Sequence, residues 1–98
     1  MYAIAFDLDT DTLGKTYGVP SSNNAYTDIK NVLFEYGFSR QQGSVYLGET
    51  ADAVKAVMAT QMLAKKFSWF APSVRDIRML RIEDNNDLMP AINMVIGT

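Results

Sequence analysis

Residues 2 to 9 alternate without a break. Tyr2, Ile4, Phe6 and Leu8 fall on one side, and Ala3, Ala5, Asp7 and Asp9 on the other. A period of two is the signature of a half-buried strand. Here one side can cover a core, while the other is built of small residues until it meets two carboxylates. A chain that opens this way needs further strands to pair with and helices to close over the apolar side.

The rest of the chain supplies both. Pro20-Ser21-Ser22-Asn23-Asn24 offers several helix caps, and Ala25, Ile29, Val32, Leu33 and Tyr36 then follow helical spacing up to Gly37, a stop signal. Phe38 to Gln41 and Ser44 to Gly48 read as a hairpin turning at Gly43. Thr50 is placed to cap a second helix, with Asp52 in its first turn, Lys65 and Lys66 in its last, and an apolar stripe of Val54, Val57, Met58 and Met62. Trp69 and Phe70 read as core or as cover for that helix, and with Pro72 they close the segment. Val74 to Ile82 is the last strand, and the tail from Asn85 is expected to add a short helix at most. The order β-α-β-β-α-β predicts an α+β, ferredoxin-like domain over residues 1–98 with an antiparallel four-stranded sheet. Its first strand should lie between the third and fourth, antiparallel to both.

Composition narrows the chemistry. With 98 residues, 48% apolar and 20% charged, the chain is an ordinary small globular sequence. A domain of this size gains from dimerisation. It has no cysteine, so disulfides and thiolate metal sites are excluded, and no histidine, which excludes Ser-His-Asp hydrolysis and paired-histidine RNA cleavage. A net charge of −2 and a pI near 4.8 argue against nucleic-acid binding by bulk electrostatics, though not against a local basic strip. The opening MYAIAFDLD lacks a basic leader region, and no apolar run approaches the roughly 20 residues of a membrane span, so a cytoplasmic protein without membrane contacts is expected.

AFDLDTDTL has the strand-to-D-x-D form of a haloacid-dehalogenase-type phosphatase loop. That reading fails on three counts. The D-x-D-x-T pattern is broken by Asp11, the threonines falling at Thr10 and Thr12. The element order does not give a parallel doubly wound sheet, and the chain is short of the later strands that would carry the remaining acids and lysine. In the ferredoxin-like arrangement Asp7 instead ends the central strand, beside the starts of the third and fourth strands, which carry Ser44 and Asp76. Side-chain parity with Phe6, Val45, Leu47, Ile77 and Met79 under the helices would put Asp7, Ser44, Asp76 and Arg78 together on the helix-free face. Ala3, Ala5, Val74 and Leu80 would share that face and favour a face-to-face dimer.

MYAIAFDLDTDTL, YGFSRQQGSVYLG and SVRDIRMLRIED together resemble the virulence-associated protein D (VapD) family over roughly residues 1 to 84. The first and last are more distantly similar to the small CRISPR-associated protein of the spacer-integration complex. The resemblance implies a homodimeric endoribonuclease, commonly the toxin of a toxin–antitoxin pair, with RNA as substrate and a small antitoxin protein as partner. Matched residue by residue, it implies Asp7, Ser44 and Asp76 as the catalytic set.

Arg40, Gln41, Arg75 and Arg78 are then candidates for RNA binding, with Gln42 beside them, and Arg78, Arg75 or Arg40 for stabilising developing charge. Two close carboxylates call for a cation or a retained proton. Magnesium on Asp7 and Asp76 is one reading, and metal-free general-base catalysis by one aspartate is the other. The bland readings are an Asp7 that bonds loop amides, an Asp76 paired with Arg75 or Arg78, and a Ser44 that only shapes the turn. Asp9 and Asp11 read as loop acids or caps, and Tyr46 as a dimer-interface residue or a base-stacking one. The alternative function is a non-catalytic ferredoxin-like adaptor that binds nucleic acid or protein.

Overall fold

The computed structural model describes residues 1–17 and 23–97. Its elements are β1 (Tyr2–Leu8), α1 (Thr10–Tyr17), α2 (Asn23–Glu35), β2 (Ser39–Gln42), β3 (Val45–Gly48), α3 (Ala53–Lys66), α4 (Phe70–Ser73), β4 (Val74–Arg81) and α5 (Met89–Ile96). The four strands form an antiparallel sheet in the order β2-β3-β1-β4, so β1 is central and pairs with both β3 and β4. This is the ferredoxin-like α+β arrangement that the element order predicts. The cap candidates Pro20, Ser21 and Ser22 lie outside the described residues.

Ile4, Phe6 and Leu8 of β1 are buried with Ala25, Ile29, Val32 and Leu33 of α2 and Ala56, Ala59 and Leu63 of α3. The alternation of β1 and the spacing of α2 thus resolve as expected, and Gly37 ends α2 with φ 89°. In α3 the expected stripe is displaced. Val54, Val57 and Met58 are about half or more exposed, and the small Ala56 and Ala59 face the core. Alanines at those positions suit a short distance between the helix and the sheet. The cap also shifts by two residues: the Asp52 carboxylate, not Thr50, accepts from the Lys55 N–H at 2.9 Å.

Two irregularities decide which side chains share a face. β3 sets Tyr46 opposite Ile4, and Val45 and Leu47 opposite Ala5 and Ala3. Tyr46 therefore enters the core and stacks on Phe6 at 5.9 Å between ring centroids, while Val45 and Leu47 share the helix-free side with the alanines. The expected parity of β3 is inverted, because a pairing one residue away exchanges the two faces of a strand. A bulge at Gln41 shifts the β2–β3 pairing and accompanies this register. A second bulge lies between Asp7 and Leu8, where Asp7 faces Asp76 but Leu8 faces Val74. Arg75 is the extra residue, and Val74 consequently packs against the core instead of the helix-free face.

Short α1 was not foreseen. The Asp9 carboxylate accepts from the N–H groups of Asp11 (3.0 Å) and Thr12 (3.2 Å), capping the helix. Ser73, fully buried, donates to the Trp69 carbonyl at 2.7 Å, and its own carbonyl accepts from the Asp9 N–H at 2.7 Å, which ties α1 to α4. Trp69 and Phe70 are core, as expected. The short helix expected of the tail is α5, whose apolar residues are exposed.

Gly48, at the end of β3, lies in close approach to Phe38 and Ala51. A Cβ there would lie 2.7 Å from Cε1 of the Phe38 ring and 2.9 Å from the Ala51 methyl. Gly48→Ala should therefore lower unfolding free energy by about 1–3 kcal/mol, the usual cost of overpacking. Urea unfolding checks this, and an unchanged midpoint would show that Phe38 and Ala51 yield freely.

Candidate nuclease site at the end of the central strand

The sequence-predicted residues separate into three groups. Asp7 and Asp76 are direct cross-strand partners, both exposed, with Arg78 opposite Ala5 one pleat along on the same helix-free face. Opposed residues in an antiparallel pair hold their Cβ atoms about 4.5–5.5 Å apart, and like charges there repel. Arg78 offsets that repulsion from one side. Its Nε–H is shared by both Asp76 oxygens at 3.1 Å. The pairing of Asp76 with an arginine, one of its bland readings, is thus present, yet it leaves Asp7 facing the pair as the second carboxylate.

Ser44 does not join them. Its carbonyl accepts from the Phe6 N–H at 3.1 Å, so its backbone lies beside the end of β1, but it follows Gly43 (φ 46°) on the helix-bearing side. There it lines a cavity of about 440 Å³ with Tyr26, Lys30, Arg40 and Tyr46. The convergence of three polar side chains on one corner is corrected by the inverted parity of β3. Arg40, opposite Tyr46, belongs to this second group, and its Nε–H donates to the Gly43 carbonyl at 3.0 Å. Tyr46 is buried, which removes it from base stacking and from any exposed interface.

Arg75 and Gln41 form outlying points. Arg75, set aside by the β4 bulge, pairs with Asp9 at 3.6 Å. The Thr12 N–H bonded to the Asp9 carboxylate, helped by the Arg75 charge, holds that acid below its ordinary range. Asp9 is thus a cap, as one of its two readings held. Gln41 accepts from the Asn85 amide at 3.4 Å and so meets the tail. Lys30 and Tyr26 escaped the sequence reading. Their separation by four positions on α2 was the available signal, masked by the stronger apolar periodicity of Ala25, Ile29, Val32 and Leu33 beside them.

Chemically, the helix-free corner offers one carboxylate neutralised by a guanidinium and one that is not. Among the described residues no group of three or more acids is placed to cage a metal ion. The donors suit a cation held through a single carboxylate together with water and substrate phosphate, the usual habit of magnesium.

Comparison with known proteins bears on this corner. The family model described as CRISPR associated protein Cas2 matches residues 1–89. The chain is 50% identical over 97 residues, 98% of its length, to the whole of a Helicobacter pylori protein named endoribonuclease VapD homolog. It is 49% identical over 94 residues, 95% of its length, to the whole of endoribonuclease VapD 2 of Riemerella anatipestifer. It is also 34% identical over 86 residues, 87% of its length and 74% of the relative's, to the CRISPR-associated endoribonuclease Cas2 of Parvibaculum lavamentivorans. The chain belongs to the CRISPR associated protein Cas2 family, with VapD proteins among its relatives.

Proposed function

We propose that this protein is an endoribonuclease, a hydrolase of RNA phosphodiester bonds, whose reaction is centred on Asp7. The observation that carries this reading is the Asp7–Asp76 register at the end of the central strand, in a chain whose full-length relatives are named endoribonucleases. Asp76 is engaged by Arg78, which leaves Asp7 to act as general base on a 2′-hydroxyl or on water. The four other N–H groups of the Arg78 guanidinium suit the non-bridging oxygens of the scissile phosphate. Asp76 then acts mainly by fixing Arg78. Ser44, on the other side of the β1 end, is suited to hold a neighbouring phosphate rather than the reacting one.

Magnesium, if it takes part, would bind through Asp7, where it would polarise the phosphate and lower the pKa of bound water. We further propose the finer role implied by the VapD resemblance: the toxin of a toxin–antitoxin pair, with a small protein antitoxin, acting in the cytoplasm as one domain over residues 1–98. Among the described residues no helix is long and apolar enough to cross a membrane.

A homodimer through the helix-free face belongs to the same reading. Ala3 is already buried in the single chain, and Leu80 is 47% exposed, so what supports the dimer is Leu80 and half-buried Ala5 next to the carboxylates. A second copy there would turn an open corner into a cleft.

Asp7→Asn keeps shape and removes charge. RNA cleavage should fall by at least roughly 100-fold, the scale of one general base or metal ligand, while relief of the cross-strand repulsion should leave the melting temperature equal or higher. A folded variant cutting RNA at the wild-type rate would refute the assignment and favour the adaptor. Assays with and without EDTA separate the two roles of Asp7. Light scattering should give a dimer at micromolar concentration, and Ala5→Arg should split it. A wild-type monomer would remove the dimer from the account.

A further inference from the structure

Tyr26, Lys30 and Phe34 follow one another at intervals of four along α2, from the margin of the core, where Tyr26 is half-buried against it, out to the exposed Lys30 and Phe34. Phe34 is 68% exposed, which leaves its ring open to stack with a flat ligand. Across from the row stands edge strand β2 with Arg40. Two cavities lie between them. The first, of about 440 Å³, has Tyr26, Lys30, Arg40 and Ser44 in its wall. The second, of about 360 Å³, has Lys30, Phe34 and Arg40. Lys30 and Arg40 line both, so the two spaces adjoin at a pair of cations. Among the described residues no carboxylate lines either cavity, although the chain as a whole carries a net charge of −2. Among the described residues neither Lys30 nor Arg40 is paired with an acid.

We propose that this groove is a binding track for an unpaired RNA strand, with bases on the Phe34 and Tyr26 rings and phosphates on Lys30 and Arg40. The proposal rests on the ribonuclease reading and adds the path by which substrate reaches the carboxylates. Alternating aromatic and cationic side chains are what a single strand requires, because every base has a face to stack and every nucleotide a charge to neutralise. Tyr26 and Phe34 lie about 12 Å apart along the helix, room for three to four stacked steps of roughly 3.4 Å. At its inner end the track reaches Ser44, whose carbonyl is bonded to the N–H of Phe6, the residue before Asp7. A strand leaving the groove around the Gly43 turn would therefore arrive at Asp7 and Asp76 on the other face. A duplex cannot follow this path, since its bases are not free to stack on the rings.

The test uses the full chain and a fluorescent unpaired RNA of twelve nucleotides, with a duplex of the same sequence as comparison. Binding is read by anisotropy across a salt series, and cleavage by steady-state kinetics. Phe34→Ser should weaken binding of the unpaired strand at least about fivefold. Lys30→Gln should weaken it and reduce the salt slope by about one. In both variants the loss should appear in KM, whereas Asp7→Asn loses kcat. Lys65→Gln, at the far end of α3, should bind as wild type does. Lys30 and Phe34 are both exposed, and circular dichroism is the check that their variants are folded.

Wild-type affinity and salt slope in both variants, with cleavage intact in the wild type, would overturn the track and leave the ribonuclease standing. Duplex bound as tightly as the unpaired strand would also overturn it. A wild-type protein that neither binds nor cuts RNA would remove the track together with the reading beneath it.

Discussion

The pairing of β1 with strands on both sides is the constraint from which the rest follows. Because β1 is central and antiparallel to β3 and β4, one edge of each of its residues is fixed by a neighbour. Ile4 and Phe6 must then enter the core, and Asp7 must leave it. The same ladder brings Asp76 directly opposite Asp7. Two acids in that position are unfavourable to the sheet, and the Arg78 guanidinium on Asp76 offsets the cost. A repulsive pair retained at the end of the best-held strand is the kind of local conflict found at functional sites.

Ferredoxin-like topology also sets what lies around that corner. The hairpin turning at Gly43 carries the chain past the end of β1, so residues on opposite faces of the sheet stay close along the chain. Ser44 lies beside Phe6 yet opens toward α2, and Asp7 opens toward the helix-free side. The protein thus presents a cationic, aromatic groove and an acidic corner, joined at one sheet end. An overall acidic chain can hold a polyanion in such a groove because only the local field there has to be positive.

Much of this was legible in the sequence, for identifiable reasons. The strict alternation of Tyr2 to Asp9 fixed which residues of β1 face the core, and the helical spacing of Ala25 to Leu33 did the same for α2. The Asp7–Asp76 pairing followed from topology, since the end of β1 must meet the start of β4. What failed were the faces of short strands. β3 has only four residues, and its side-chain parity depends on a bulge at Gln41 that alternation cannot reveal. Val74, in the longer β4, was misplaced by the bulge at Arg75, which alternation cannot reveal either. In α3, the structure leaves Val54, Val57 and Met58 of the expected stripe exposed, while Met62 packs against the core beside alanines, which are weaker signals of burial. α1 was missed because TDTLGKTY is weakly apolar and its cap, Asp9, reads equally well as a loop acid.

The central claim is that Asp7 and Asp76 work as one unit, Asp76 through the arginine it holds. Single-turnover cleavage of one RNA by Asp7→Asn, Asp76→Asn and the double variant tests it most directly. Residues acting as a unit lose activity non-additively. The double variant should be no more than a few-fold slower than Asp7→Asn alone, with Asp76→Asn itself clearly impaired. Losses that multiply, or an Asp76→Asn variant as fast as the wild type, would contradict the claim.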